Sequence, residues 1–204
     1  MSGIPLAQAD ARPSGPGPRA GGQVVWITGL SAAGKSTVSG LVTEHLRAAG
    51  DGCIALDGDA LRDVFGRVDL KPEDYERPAR LALGFQYARL ARLLAAQGST
   101  VIVTTISLFH ELHAWNRANL PGYFEVYIRV PIEELRRRDP KGLYRRFEAG
   151  EVRNIAGLDQ PFDEPVSPDL LVDHVPGRDA EAIAAEIVRS LHARSVPLPP
   201  ERKG

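Results

Sequence analysis

Val24-Val-Trp-Ile-Thr-Gly-Leu-Ser-Ala-Ala-Gly-Lys-Ser-Thr37 is the stretch that decides the fold. Its first five residues form an apolar, β-branched run, the pattern of a strand buried on both faces. Gly29-Leu-Ser-Ala-Ala-Gly-Lys-Ser36 then fits G-x-x-x-x-G-K-[ST] at every fixed position. A helix-period segment follows from Ser36 to Ala49 and ends at Gly50. Strand, glycine loop and helix in that order make a phosphate cradle: the glycines let backbone N–H groups turn inward, and the helix N-terminus adds its positive dipole end. The spacing places Gly29, Ser31, Ala32, Ala33, Gly34, Lys35, Ser36 and Thr37 around a nucleotide's phosphates. Lys35 reaches the outer phosphates and the Ser36 hydroxyl binds Mg2+.

Outward from this stretch, short apolar runs alternate with longer helix-period segments. Cys53–Leu56 reads as a second strand. After Pro78, Leu83, Tyr87, Leu90 and Leu94 recur at helical spacing until Gly98. Val101–Ile106 is too apolar for a sheet edge. Phe124, Val126, Ile128 and Val130 alternate with Tyr123, Glu125, Tyr127 and Arg129, which predicts a strand with one wetter face. Pro131 opens a short helix carrying Arg136 to Arg138; Leu170–Val172 is a last strand, and Ala180 to Ala193 a closing helix with Ile183, Ile187 and Leu191 on one face. The fold class is therefore α/β, doubly wound: a P-loop kinase-like three-layer fold, with a central parallel sheet and helices on both faces.

Composition bounds the rest. The chain has 204 residues, 43% hydrophobic and 25% charged, enough for one packed core. Residues 1–22, rich in Pro, Gly and Ala, read as a disordered arm, 23–194 as the domain, and 195–204, broken by prolines, as a flexible tail. A net charge of −1 argues against a general nucleic-acid or anionic-membrane partner. A single cysteine, Cys53, excludes an intramolecular disulfide and reads as a small core residue. No apolar run approaches the roughly 20 residues that span a bilayer, and Met1 to Gly22 lacks the apolar core of a secretory signal, so the expected location is cytoplasmic.

Two further segments suggest chemistry. Asp57, Asp59 and Arg62 follow the second strand, and ligands of open α/β sheets sit beyond the carboxyl ends of strands. The third strand ends in Thr104, Thr105 and Ser107, so the acid that helps hold metal and accepts a proton is Asp57 or Asp59. Arg138-Asp-Pro-Lys-Gly-Leu-Tyr-Arg-Arg146 joins dense positive charge to Pro and Gly hinges, which suits a lid closing over a phosphoryl group. His110 and His113 without a third ligand make a poor zinc site, and Trp115 reads as packing.

Taken in order, Gly29–Thr37, Leu56-Asp-Gly-Asp59 with Arg62, Ile106-Ser107, Arg138–Tyr144 and Gly157-Leu-Asp-Gln-Pro-Phe-Asp-Glu-Pro165 before Pro168-Asp-Leu170 resemble the adenylylsulfate (APS) kinases. The resemblance implies transfer of the γ-phosphoryl of MgATP to the 3′-hydroxyl of adenylylsulfate. It implies Lys35, Asp59 and Lys141 as catalytic residues, Arg138 at ATP and Ser36 with Asp59 at the metal. On the acceptor side it implies Asp57, Asp59, Arg62, Tyr75, Arg80, Ile106, Ser107, Lys141 and Ile155. Small nucleotides are then the partners, and a homodimer is left open.

The departures lie on the acceptor side. Where the family usually reads G-F-S-x-x-D-R-x-x-N-I-R-R, this chain has Asp69 to Arg80, with Leu70, Tyr75 and Pro78 in place of Phe, Arg and Asn and Arg80 as a match. Ile155 stands where an aromatic residue often stacks on the acceptor base, and Leu108 follows Ser107 in place of proline. That pattern, with Ile106-Ser-Leu-Phe-His110 and Trp115-Asn-Arg-Ala-Asn119, resembles a divergent branch active in surface-polysaccharide modification. The alternative acceptor is then a cytidine diphosphate carrying a phosphoramidate. A non-catalytic P-loop nucleotide-binding module is the remaining class, although it needs neither paired acids nor a basic lid.

Overall fold

The computed structural model describes residues 21–65 and 72–194; the expectations for the remaining arm, the tail and Leu70 fall outside the described residues. Five parallel strands, β1 (Gln23–Thr28), β2 (Cys53–Asp57), β3 (Thr100–Thr105), β4 (Phe124–Arg129) and β5 (Leu170–Asp173), form one sheet in the order β2-β3-β1-β4-β5. Helices α1 (Lys35–Ala48) and α7 (Ala180–Arg194) cover one face; α3 (Arg77–Ala95) and α4 (His110–Asn119) cover the other. Shorter helices α2 (Gly58–Phe65), α5 (Ile132–Arg138) and α6 (Leu143–Glu148) sit on the connections.

Strand periodicity explains the two cores. Val25, Ile27 and Ile102 point toward α1 and α7, with Val42, Leu46, Ile187 and Leu191. Val24, Trp26, Val101 and Val103 point the opposite way, toward Tyr87, Ala88, Ala91 and Leu112. Both sets are fully buried, so β1 and β3 read as continuous apolar runs. Cys53, on edge strand β2, is half-buried and packs against the α1 core.

The expected helix is present as α3: its buried seam is Gly84, Tyr87, Ala88, Ala91 and Ala95, with Leu83, Leu90 and Leu94 half-buried and packed against the same core. Small side chains let the helix approach closely: a Cβ on Gly84 would lie 2.7 Å from Leu112. One expectation needs correction: β4 has no wetter face, since Tyr123, Glu125 and Tyr127 are buried and only Arg129 is exposed. Helix α4 covers that side and supplies the polar partners, with Arg117 at 3.2 Å from Glu125. Tyr123 Oη donates to the same carboxylate at 3.1 Å.

Candidate active site

The cradle forms because β1 stops at Gly29, where a Cβ would meet the Ile128 carbonyl oxygen at 2.5 Å. Gly34, with φ of 89°, then caps α1 in the left-handed region that glycine adopts freely. Lys35 and Ser36 open α1, so their backbone N–H groups belong to its unsatisfied first turn. Lys35 is half-buried and its Nζ donates to the Leu30 carbonyl at 2.8 Å. Burial lowers its ammonium to about 8, against the pull of Asp59 and Asp57.

Strand β2 ends beside this loop. Ser36 Oγ donates to Asp57 Oδ2 at 2.9 Å, while Asp57 Oδ1 accepts the Asp59 backbone N–H at 2.9 Å. A hydroxyl and a carboxylate meeting at the cradle are hard oxygen donors of the kind Mg2+ takes, with nucleotide phosphates completing the set. The carboxylate that meets Ser36 is therefore that of Asp57, whereas Asp59 was the metal partner expected from the sequence. Asp59 turns instead to Lys141, whose Nζ lies 2.5 Å from its Oδ2 with both side chains exposed. That hydrogen bond holds the Asp59 carboxyl below its usual range and raises the Lys141 ammonium.

The basic segment is docked on the cradle. Tyr144, 1% exposed, donates its hydroxyl to the Ser31 carbonyl at 3.1 Å. Asp139 accepts the N–H groups of Tyr144 and Arg145, both at 3.1 Å, so it fixes the start of α6. The turn between α5 and α6 uses positive φ at Asp139 (24°) and Gly142 (66°). Tyr144 stood within the quoted motif, but nothing in its spacing marked it as the peg.

On the far side of the cradle, Ala33, Gly34, Thr37 and Val38 border a cavity of about 160 Å³ whose other walls include Ile128, Val130, Val172, Arg138 and His174. Arg138 Nη2 lies 3.1 Å from His174 Nδ1, and its Nε donates to Glu134 at 2.8 Å. His174 carried no signal in the sequence, because it follows a strand unconnected to α5 in the chain.

The expected acceptor residues gather around α2, α3 and the segment after β3. Arg62 lies over the Tyr75 ring at 5.3 Å, and Arg80 over the Phe109 ring at 5.7 Å. Arg80 makes no ion pair with a carboxylate among the described residues; burial and then repulsion by Arg62 and Arg77 lower it. Arg77 is committed elsewhere, to Glu111 and to Asp163, each at 2.9 Å. Asp163 also accepts the His110 N–H at 3.1 Å, tying the Gly157–Pro165 loop to α4. Ser107 is buried and shares a 2.9 Å hydrogen bond with Thr105, and the Ile106 carbonyl accepts from Thr28 Oγ1 at 2.6 Å. Ile155 is half-buried, its N–H held by Asp159 at 2.6 Å. Asp163 and Phe109 stand within quoted motifs without an assigned role and Glu111 carries no signal in the sequence, since their contacts with Arg77 and Arg80 join positions 29 to 86 apart.

His110 and His113 do not share a site: His110 meets the Glu164 carbonyl and His113 the Ser107 carbonyl. Among the described residues no group of three His, Cys, Asp or Glu could hold a metal by itself. Trp115 packs edge-on against Phe85 at 5.9 Å. No described helix is long and apolar enough to cross a membrane.

A five-stranded parallel sheet with a Gly-Lys-Ser cradle, paired acids and a docked basic segment defines a P-loop kinase. The adenylylsulphate kinase family model matches residues 21–173, and the chain belongs to that family. The cytidine diphosphoramidate kinase of Campylobacter jejuni is 36% identical over 168 residues, covering 82% of this chain and 95% of that protein. The adenylyl-sulfate kinase of Deinococcus deserti is 39% identical over 150 residues, 73% of this chain and 80% of that enzyme. The Mycobacterium tuberculosis APS kinase CysC, solved in complex with AMPPNP and APS, superposes with a TM-score of 0.76 at 36% identity, over 84% of this chain and 98% of that one. The chain is an ATP-dependent phosphotransferase.

Proposed function

We propose that the chain transfers the γ-phosphoryl group of MgATP to a hydroxyl of a nucleoside diphosphate derivative, with cytidine diphosphoramidate as the acceptor the site favours. The observation that carries the phosphotransfer reading is the meeting of Asp57 with Ser36 and of Asp59 with Lys141 at the mouth of one cradle. Ser36 and Asp57 would hold Mg2+, which supplies charge neutralisation between the outer phosphates. Lys35 compensates the γ-phosphoryl charge, and the docked α5–α6 segment brings Lys141 to the same side. Asp59, kept ionised, orients the acceptor hydroxyl and accepts its proton as the new P–O bond forms and ADP leaves. Arg80, half-buried and with no carboxylate ion pair among the described residues, and Arg62 suit the acceptor's phosphates.

The acceptor choice is supported by the substitutions on that side. Tyr75, Pro78 and Ile155 stand where the adenylylsulfate enzymes usually have polar and stacking contacts, and a relative named cytidine diphosphoramidate kinase aligns over 95% of its length. Adenylylsulfate is the second reading, favoured by Arg62 and Arg80 in their family places and by the likeness to an enzyme solved with APS. Steady-state kinetics with both acceptors decide between them. The expected result is a KM for adenylylsulfate at least about tenfold higher than for cytidine diphosphoramidate, the size of losing one good polar or stacking contact. A lower KM with faster turnover on adenylylsulfate would overturn the assignment.

A further inference from the structure

We infer that His174 is a positioning residue for the donor nucleotide, holding the Arg138 guanidinium at the rim of the cavity behind the phosphate cradle. The inference rests on the reading that this cavity takes the base and ribose of ATP. Its walls support that use: Val38, Ile128, Val130 and Val172 are apolar, Gly34 and Thr37 belong to the cradle, and Arg138 is the cation at the rim. A planar guanidinium over an apolar slot suits a flat heteroaromatic ring, on which it stacks if its plane is fixed.

Two contacts fix that plane. Glu134, one turn earlier on α5, accepts Arg138 Nε at 2.8 Å. It is shared with Arg137, which bonds both Glu134 oxygens at 2.7 and 2.9 Å, so it does not serve Arg138 alone. A second nitrogen of the fork, Nη2, meets His174 Nδ1 at 3.1 Å. His174 is well placed to restrain it, because the ring is half-buried and its backbone N–H is bonded to the Arg129 carbonyl at 2.9 Å.

The chemistry of the ring makes this contact conditional. Arginine has only donors, so Nδ1 must be the acceptor and the imidazole neutral, with its proton on Nε2. Nε2 faces Glu134 Oε1 at 4.0 Å. The other charges near the ring are already paired: Arg129 with Asp173 by two hydrogen bonds, and Arg178 with Glu186.

The test is equilibrium binding of a fluorescent ATP analogue with Mg2+ to the full chain, without acceptor. His174→Ala is expected to weaken binding about five- to tenfold, the effect of one hydrogen bond to a charged group. His174→Asn, whose amide oxygen accepts the same bond, is expected to bind within about twofold of wild type. In an Arg138→Ala background, His174→Ala should add nothing, which a merely structural loss would not reproduce. Wild-type affinity in His174→Ala, a loss in His174→Asn as large as that expected of His174→Ala, or an undiminished His174→Ala loss in the Arg138→Ala background would overturn the inference. Failure of the wild-type chain to bind the analogue would overturn the donor-site reading, and this inference with it. Thermal melts confirm folding, and the Asn variant carries the test if the Ala variant unfolds.

Discussion

His113 should make this protein acid-labile through one identifiable group, and the perturbation that isolates it is His113→Gln. The imidazole is 7% exposed; its Nε2 donates to the Ser107 carbonyl at 3.0 Å, and its Nδ1 has no hydrogen-bond partner. Burial lowers its pKa from 6.5 to about 4. The fold therefore holds a neutral ring, while the unfolded chain takes up a proton as the pH falls below 6.5, so stability is lost between about 6.5 and 4. With those two values the linkage relation gives a loss of about 2 kcal/mol between pH 7 and 5, approaching about 3 at pH 4. Glutamine keeps an N–H for the Ser107 carbonyl but cannot titrate. The assay is urea denaturation of wild type and variant at pH 7 and 5: the wild-type loss should exceed that of His113→Gln by about 2 kcal/mol. Glu125 complicates the site, because its Oε1 lies 3.7 Å from Nδ1 and its own carboxyl is pushed up by burial. If wild type instead gains on His113→Gln as the pH falls, the Glu125 carboxylate captures the protonated ring and the burial argument is refuted.

Three further outcomes follow from the site. Lys35→Met should abolish phosphoryl transfer yet stabilise the fold at pH 7 by about 2 kcal/mol, the roughly 3 kcal/mol by which an ammonium lowered from 10.5 to about 8 destabilises the native state less about 1 for the lost hydrogen bond to the Leu30 carbonyl; urea melts and an ADP-release assay check both signs. Asp57→Asn should cost at least about a hundredfold in turnover and raise the Mg2+ concentration needed for half-maximal rate, whereas Asp59→Asn should lower turnover with little change in Mg2+ dependence; the reverse pattern would exchange their roles. Tyr144→Phe leaves the half-buried Ser31 carbonyl without its donor, at a cost of about 1 kcal/mol, and limited trypsin cleavage between Arg138 and Arg153 should accelerate; unchanged cleavage would show that the hydroxyl does not dock the segment.

What the sequence determined by itself was the cradle and the layer order. Gly29 to Ser36 needs no distant partner to be recognised, because a glycine turn between an apolar strand and a helix is local geometry. The alternation of apolar runs and helix-period segments likewise specified a parallel sheet, and strand parity put Val24 and Trp26 on one face and Val25 and Ile27 on the other. Helices α2 and α4 were passed over because their apolar faces are short and interrupted by acids, His and Arg. The tertiary structure alone decided which acid meets Ser36. Asp57 and Asp59 are two residues apart and chemically identical, and only the exit angle of β2 turns one to the cradle and the other to Lys141. It alone showed Arg77 neutralised by Glu111 and Asp163 while Arg80 has no carboxylate ion pair among the described residues, since a sequence of like cations does not say where carboxylates fold back. Tyr144 on Ser31 and His174 on Arg138 are contacts across 113 and 36 positions. Such pairings carry no periodicity, so they exist only once the sheet has brought its carboxyl ends together.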